Sequence, residues 1–243
     1  HSFSRRQRQM CIRDSNKTNW RREYFPNYKH GRRKDRKASK LDWGSIFDTL
    51  HLIKQELQDN FPYKVLEVEN AEADDIIASV VSYVAEAPSH YEKVLIVSGD
   101  KDFIQLQKHS FVTQYSPTLK KFVNGIDPHA YIKEHILKGD RSDGVPNFLS
   151  PDNCFVDEMR QRPISKKKMA TWIDLEPEDF CNEEMLRNYQ RNRTLIDLEY
   201  APDEINQACV QAYLNSTVKN RSGLLNYFIK HRLKNHMENI GDF

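Results

Sequence analysis

The sequence predicts an α/β domain followed by a mainly helical subdomain. Helix-type and strand-type periodicities alternate up to about residue 127, and only helical patterns follow Pro128. Acidic residues also gather where one periodicity gives way to the next, as they do when functional groups sit at the carboxyl ends of parallel strands.

The elements follow in order. Trp43, Ile46, Phe47, Leu50, Ile53 and Leu57 recur at helical spacing and stop at Asp59-Asn60 and Pro62, which predicts an amphipathic helix over 43–57. Residues 63–68 (YKVLEV) are rich in β-formers and predict a short strand; a helix over 72–85 comes next. Residues 93–98 (KVLIVS) form a nearly continuous apolar run, the pattern of a parallel strand buried on both faces. Ser116-Pro117 separates two further short strands over 112–115 and 121–123. Beyond Pro128, helices are predicted over 129–137, 165–173, 183–193, 202–214 and 224–237, with a polar loop running through Pro151. The domains are therefore set at 16–127 and 128–243.

With 243 residues, 38% of them hydrophobic, the chain can build one large core or two small ones. No run approaches the roughly 20 apolar residues of a membrane-spanning helix, and no apolar leader is visible, so the expected setting is cytoplasmic, with no membrane partner. Cys11, Cys154, Cys181 and Cys209 lack the close spacing of a zinc site and are expected to be free thiols in a reducing compartment.

Net charge is only +2, but it is unevenly spread. Residues 16–40 hold ten Lys/Arg against Glu23 and Asp35, a net +8, and residues 1–15 add +3, which leaves −9 for the remainder. A basic arm is joined to an acidic body, either as a solvated face or as a segment that binds a polyanion. Residues 5–15 (RRQRQMCIRDS) show no hydrophobic period and match one reading frame of a transposon-end sequencing adapter. Residues 1–15 are therefore set aside as a non-native segment on a truncated frame, with a native basic arm as the alternative.

Three acidic clusters carry chemistry. Glu72, Asp74 and Asp75 lie past a strand at a helix start, where capping accounts for one or two carboxylates but not three. Asp100 and Asp102 follow the 93–98 strand and, two apart in extended chain, point to one side. Asp140 and Asp143 are three apart and would share a face of one turn. Carboxylates aimed together repel unless a cation lies between them, and magnesium prefers such oxygen ligands. Two ions held this way suit phosphodiester hydrolysis. The loop spacing of an EF-hand is absent.

EADD after a strand, GDKDF after the next and LKGDRSDGVP further on resemble the motif series of the 5′ nuclease (flap endonuclease) superfamily. The resemblance runs from about Trp20 to the terminus. Its phage ribonuclease H branch is the most similar, given Trp20-Arg-Arg-Glu-Tyr-Phe, Leu195-Ile-Asp with Tyr200-Ala-Pro-Asp, and Tyr227-Phe. It implies a PIN-like 5′ nuclease sheet domain with a helical arch built on the basic segment 16–40. A helical subdomain with a helix–three-turn–helix element, opened by residues 139–146, would follow.

It implies two Mg²⁺ ions, with Mn²⁺ as a substitute: Glu72, Asp74, Asp75 and Asp100 around the first, Asp102, Asp140 and Asp143 around the second. Lys29, Arg21 and Arg22 would be catalytic. Tyr28, Arg32, Arg33, Lys34 and Gly144 would touch nucleic acid; Lys166, Lys167 and Lys168 at a helix start, read from the residues themselves, are either a phosphate-binding face or simply solvent-exposed. Aromatics interleaved with cations in 20–34 suit a single-stranded flap, with phosphates neutralised and bases stacked.

The implied activity is Mg²⁺-dependent 5′–3′ exonuclease and flap endonuclease cleavage with ribonuclease H action on primers. The implied partners are 5′-flap or nicked DNA, RNA–DNA hybrid and other replication proteins such as a single-stranded-DNA-binding protein. The family takes two more metal-site aspartates from sequence ahead of the arch. Asp14 sits one residue closer to Trp20 than that pattern, and the glycine-rich run usual after Val145 is replaced by Asn147-Phe-Leu-Ser-Pro. A fragment that binds DNA without cutting it, or a PIN-like ribonuclease, are the alternatives.

Overall fold

In the computed structural model the described residues are 9–11, 19–86 and 93–243, with backbone alone for 9–11 and for Arg33. Asp14 lies outside them.

Two short sheets form the α/β part. β1 (Gln9–Cys11) pairs in parallel with β2 (Lys64–Leu66). β3 (Val94–Val97) pairs in parallel with β4 (Val112–Ser116), which is antiparallel to β5 (Lys121–Val123). Three residues of the segment set aside as non-native are thus part of a ladder. Backbone pairing asks for no particular side chain, so the ladder leaves the origin of that segment untested.

The basic arm, expected as an arch, resolves into α1 (Trp20–Tyr24) and α2 (Gly31–Ala38) joined by a turn. Then come α3 (Trp43–Asn60), capped by Asp42 on the Ser45 amide, and α4 (Ala73–Glu86). A 3₁₀ helix, Lys101–Lys108, follows β3 and was not foreseen from periodicity. α5 (Pro128–Lys138) begins with Asp127 as cap and proline in its first turn, where the missing amide costs nothing. Turns at 141–144, 148–149 and 152–158 separate it from α6 (Lys166–Ile173). The remainder is α7 (Pro177–Phe180), α8 (Glu183–Ile196), α9 (Asp203–Asn215), α10 (Leu224–Lys230) and α11 (Lys234–Glu238).

Two expectations are corrected. The β3 run is not buried on both faces: Ile96 packs against Val81 and Phe103 under α4, while Leu95 and Val97 are 53% and 61% exposed. Side chains alternate along a strand, and helices cover only one face of this sheet among the described residues. The helix over 224–237 is broken between α10 and α11. Arg232 takes φ +55°, and the amides of Arg232 and Leu233 return to the carbonyls of Ile229 and Phe228, a left-handed helix stop. The break lets Leu233 and Met237 pack with Phe61, Leu224 and Phe228 in an aromatic cluster at the chain's end.

The principal core crosses the expected boundary at 127/128. Phe25 and Tyr28 of the arch root lie in it with Ile136, Leu137, Val145 and Phe148, and with Tyr189, Leu195 and Ile196 of α8. The segment after Gly139 is tied to α8 by buried polar groups. Asn192 Nδ2 donates to the Ile136 and Pro146 carbonyls at 2.8 and 2.9 Å, and Arg191 donates to the Pro146 carbonyl and to Asp152. Cys154, Cys181 and Cys209 are free thiols, and no helix among the described residues is long and apolar enough to cross a membrane.

Left-handed backbone suits glycine, so Arg232→Gly is expected to stabilise the chain by about 0.5–1 kcal/mol in urea unfolding. A loss of stability would show that the Arg232 side chain matters more than its backbone.

Candidate active site

The acidic clusters converge because three chain segments end at one place: the start of α4, the loop after β3 and the turn after α5. Asp74, Asp100 and Asp102 each offer a carboxylate oxygen, and these oxygens lie within 4.8 Å of one another. Asp100 accepts from the Asp102 amide at 3.2 Å, which opens the 3₁₀ helix. Buried Gln114 of β4 donates to the Ser98 and Asp100 carbonyls at 2.9 and 2.6 Å, fixing the loop that carries both aspartates.

A cleft beside this cluster is lined by Tyr28, Glu72, Asp140, Asp143 and His135. Asp140 uses Oδ1 to accept from the Ser142 amide and hydroxyl, both at 2.7 Å, and from the Asp143 amide at 3.2 Å, so it builds the turn that aims Asp143. The turn presses on the arch root. Gly144 has φ +75°, and a Cβ there would stand 2.9 Å from the Asn27 carbonyl oxygen; the Lys29 amide donates to the Asp143 carbonyl at 2.6 Å. Gly144, expected at nucleic acid, serves here as a point of close backbone approach.

The arch root delivers its cations to carboxylates. Lys29, at φ +55°, pairs with Glu72 and lies 3.5 Å from Asp143; Arg32 reaches Asp143 at 2.6 Å. The Tyr28 hydroxyl is 2.8 Å from both Glu72 and Asp143, and its single proton serves one of them at a time. Tyr28 and Lys29 are 3% and 5% exposed, so both are built into the site wall.

Two predicted roles do not match the positions found. Asp75, expected on the first metal, is wholly buried and turned away from Asp74 and the cluster, because successive helix residues point about 100° apart. It accepts from Arg21 Nη2 at 2.7 Å, Arg21 Nη1 at 2.9 Å, the Glu72 amide at 2.8 Å and Trp20 Nε1 at 3.2 Å. Arg21, expected to be catalytic, is part of the cleft lining but is 1% exposed and spends its Nε–H on the Leu195 carbonyl.

Among the described side chains, the other predicted residues are not part of the cleft lining. Arg22, the next residue of α1, is exposed and outside the cleft lining. Lys34 is exposed and pairs with Glu158, and the Arg33 side chain lies outside the described residues. Lys166, Lys167 and Lys168 form an exposed patch on the first turn of α6, behind the Ser165 cap.

His135 was missed. On α5, its Nδ1 is 3.5 Å from Asp102 and its Nε2 3.8 Å from Asp140, and Nδ1 is buried without a hydrogen-bond partner. Its only signal in sequence was a position one helical turn and a half before Asp140, which nothing distinguished from other helix histidines.

Charge is partitioned within the site. Burial opposes ionisation of Glu72, but Lys29 and Arg21 outweigh it and hold the carboxyl below its ordinary range. Burial, then Asp100, Asp74, Asp140 and Asp143, push Asp102 up to about 7. Burial keeps His135 below the usual imidazole value. On the Asp74, Asp100 and Asp102 side of the site, carboxylates thus face carboxylates.

This is the arrangement of a nuclease: carboxylates at strand ends walled by a cationic helical segment. Residues 2–136 match the family described as 5′–3′ exonuclease, N-terminal resolvase-like domain, and residues 127–243 match T4 RNase H, C terminal. Ribonuclease H of Enterobacteria phage T4 is 33% identical over 241 residues, covering 96% of this chain and 78% of that protein. Flap endonuclease Xni of Shewanella oneidensis is 31% identical over 56% of this chain and half of its own length. DNA polymerase I of Lactococcus lactis is 33% identical over 55% of this chain but only 15% of its own length. The fold is shared with a phage T5 protein co-crystallized with metal ions, at TM-score 0.55 and 20% identity, over 85% of this chain and 79% of that one. The chain belongs to the 5′–3′ exonuclease family, whose members are nucleases that hydrolyse phosphodiester bonds.

The sign of the Asp102 shift gives a test. Its folded value lies above the unfolded one, so the metal-free fold loses stability as pH rises from about 4 towards 7 and regains none above. Asp102→Asn is therefore expected to melt a few degrees higher than wild type at pH 8 without metal, and no higher near pH 4. An unchanged melting temperature at pH 8 would remove the charge repulsion assigned here.

Proposed function

We propose that this chain is a divalent-metal-dependent 5′–3′ exonuclease and flap endonuclease with ribonuclease H activity, acting in the cytoplasm of a host cell to remove RNA primers and 5′ flaps in DNA replication. The observation that supports it most is the convergence of carboxylate oxygens of Asp74, Asp100 and Asp102 within 4.8 Å, where burial and the neighbouring carboxylates push Asp102 up to about 7. Like charges at that separation call for a hard cation, and an all-oxygen donor set suits Mg²⁺, with Mn²⁺ as a substitute.

Asp74, Asp100 and Asp102 would hold one ion; Asp140 and Asp143, with Glu72 nearby, would supply a second position. Bound there, such ions supply Lewis acidity towards phosphate oxygens and a water of lowered pKa.

The chain's own groups would bind and orient the substrate. Lys29 and Arg32 sit on carboxylates at the cleft, where an entering phosphate can exchange places with Glu72 and Asp143 as their partner. Tyr28 holds those two carboxylates in register while they do so. The exposed Lys34 and the Lys166–Lys168 patch would neutralise backbone charge farther along 5′-flap DNA, nicked duplex or RNA–DNA hybrid, an interaction indifferent to base sequence.

Cleavage of a labelled 5′-flap substrate in Mg²⁺ should fall at least about 100-fold in Asp102→Asn and in Asp143→Asn. Undiminished cleavage in both variants overturns the assigned site, and binding of the flap without any cleavage by wild type would replace the nuclease reading with a binding one.

A further inference from the structure

Arg21 stands between two carboxylates, and the division of its bonds between them is unequal. Its guanidinium is bidentate on Asp75, at 2.7 and 2.9 Å, while Nη1 lies only 3.5 Å from Glu72 Oε2. Both members of the main pair are almost wholly buried, so the cation cannot turn to water if its partner is lost. Glu72 is the next anion within reach, and it already carries Lys29.

We infer that Asp75 is a positioning residue that draws the Arg21 cation onto itself and holds it at a 3.5 Å remove from Glu72, so that the adjoining carboxylates stay available to a divalent cation. This rests on the metal reading above. Asp75 is unsuited to ligate the ion itself, since four donors from α1 and the start of α4 already occupy its two oxygens. The same four bonds fix the Glu72 backbone to the arch root, and Arg21 Nε carries the connection on to the end of α8 at Leu195.

Removing the Asp75 charge while keeping its shape would let Arg21 settle on Glu72 and compete with the metal. Asparagine retains an acceptor for the Glu72 amide and the Trp20 indole, so the helix start stays capped. Substituting Arg21 as well removes the competitor. A metal ligand could not be rescued in that way.

The test is Mn²⁺ titration of the full chain, read by the electron paramagnetic resonance of free Mn²⁺ without substrate. Wild type, Asp75→Asn, the double variant Arg21→Gln/Asp75→Asn, and Asp102→Asn as a ligand control would be compared. Asp75→Asn should weaken Mn²⁺ binding about tenfold, and the double variant should return to within about threefold of wild type. A double variant as weak as Asp102→Asn overturns the inference and makes Asp75 a ligand. Wild-type affinity in Asp75→Asn overturns it by showing that Arg21, freed from Asp75, does not compete with the metal. Where the single variant fails to fold by circular dichroism, the double variant decides alone by the same two affinities. A wild-type chain that takes up no Mn²⁺ overturns the metal reading and this inference with it.

Discussion

The Arg21–Asp75 pair is the constraint on which the rest of the site depends. A guanidinium and a carboxylate taken out of water cost several kcal/mol each unless they are paired and hydrogen-bonded, and here Asp75 takes four donors while Arg21 also gives its Nε–H to a backbone carbonyl. Satisfying that demand brings together α1, the first turn of α4 and the end of α8. The arch root, the helix that carries Asp74, and the helical subdomain are thereby held in one frame.

Within that frame the acidic residues divide into two sets. Glu72 and Asp143 face the arch, where Lys29 and Arg32 offset their charge and the Tyr28 hydroxyl hydrogen-bonds to them. Asp74, Asp100 and Asp102 face one another, and burial makes their repulsion costly. Clustering like charges weakens the fold where it prepares the site, a trade familiar from functional centres. His135, wedged against Asp102 and Asp140, belongs to the same compromise, since a neutral imidazole adds no charge to either side.

Much of the fold was legible because local physics decides it. The apolar period over 43–57, the β-branched run of 93–98 and the Asp127-Pro128 helix start each fix an element without reference to the rest of the chain. The break after α10 was not legible, since Arg232 carries no mark of left-handed backbone as glycine would. Nor was the exposure of Leu95 and Val97, because an apolar run says nothing about whether a layer exists to cover its second face.

By itself, then, the sequence determined the succession of helices and strands and the three acidic motifs that mark the family, because periodicity, capping and carboxylate spacing are properties of neighbours in the chain. The tertiary structure decided which carboxylate does what. Asp74 and Asp75 are adjacent and chemically identical, but a helix turns by about 100° per residue, so one faces Asp100 and Asp102 and the other faces Arg21. Only the packing of α1 and α8 around that turn assigns the first to the acidic cluster and the second to the frame that holds it.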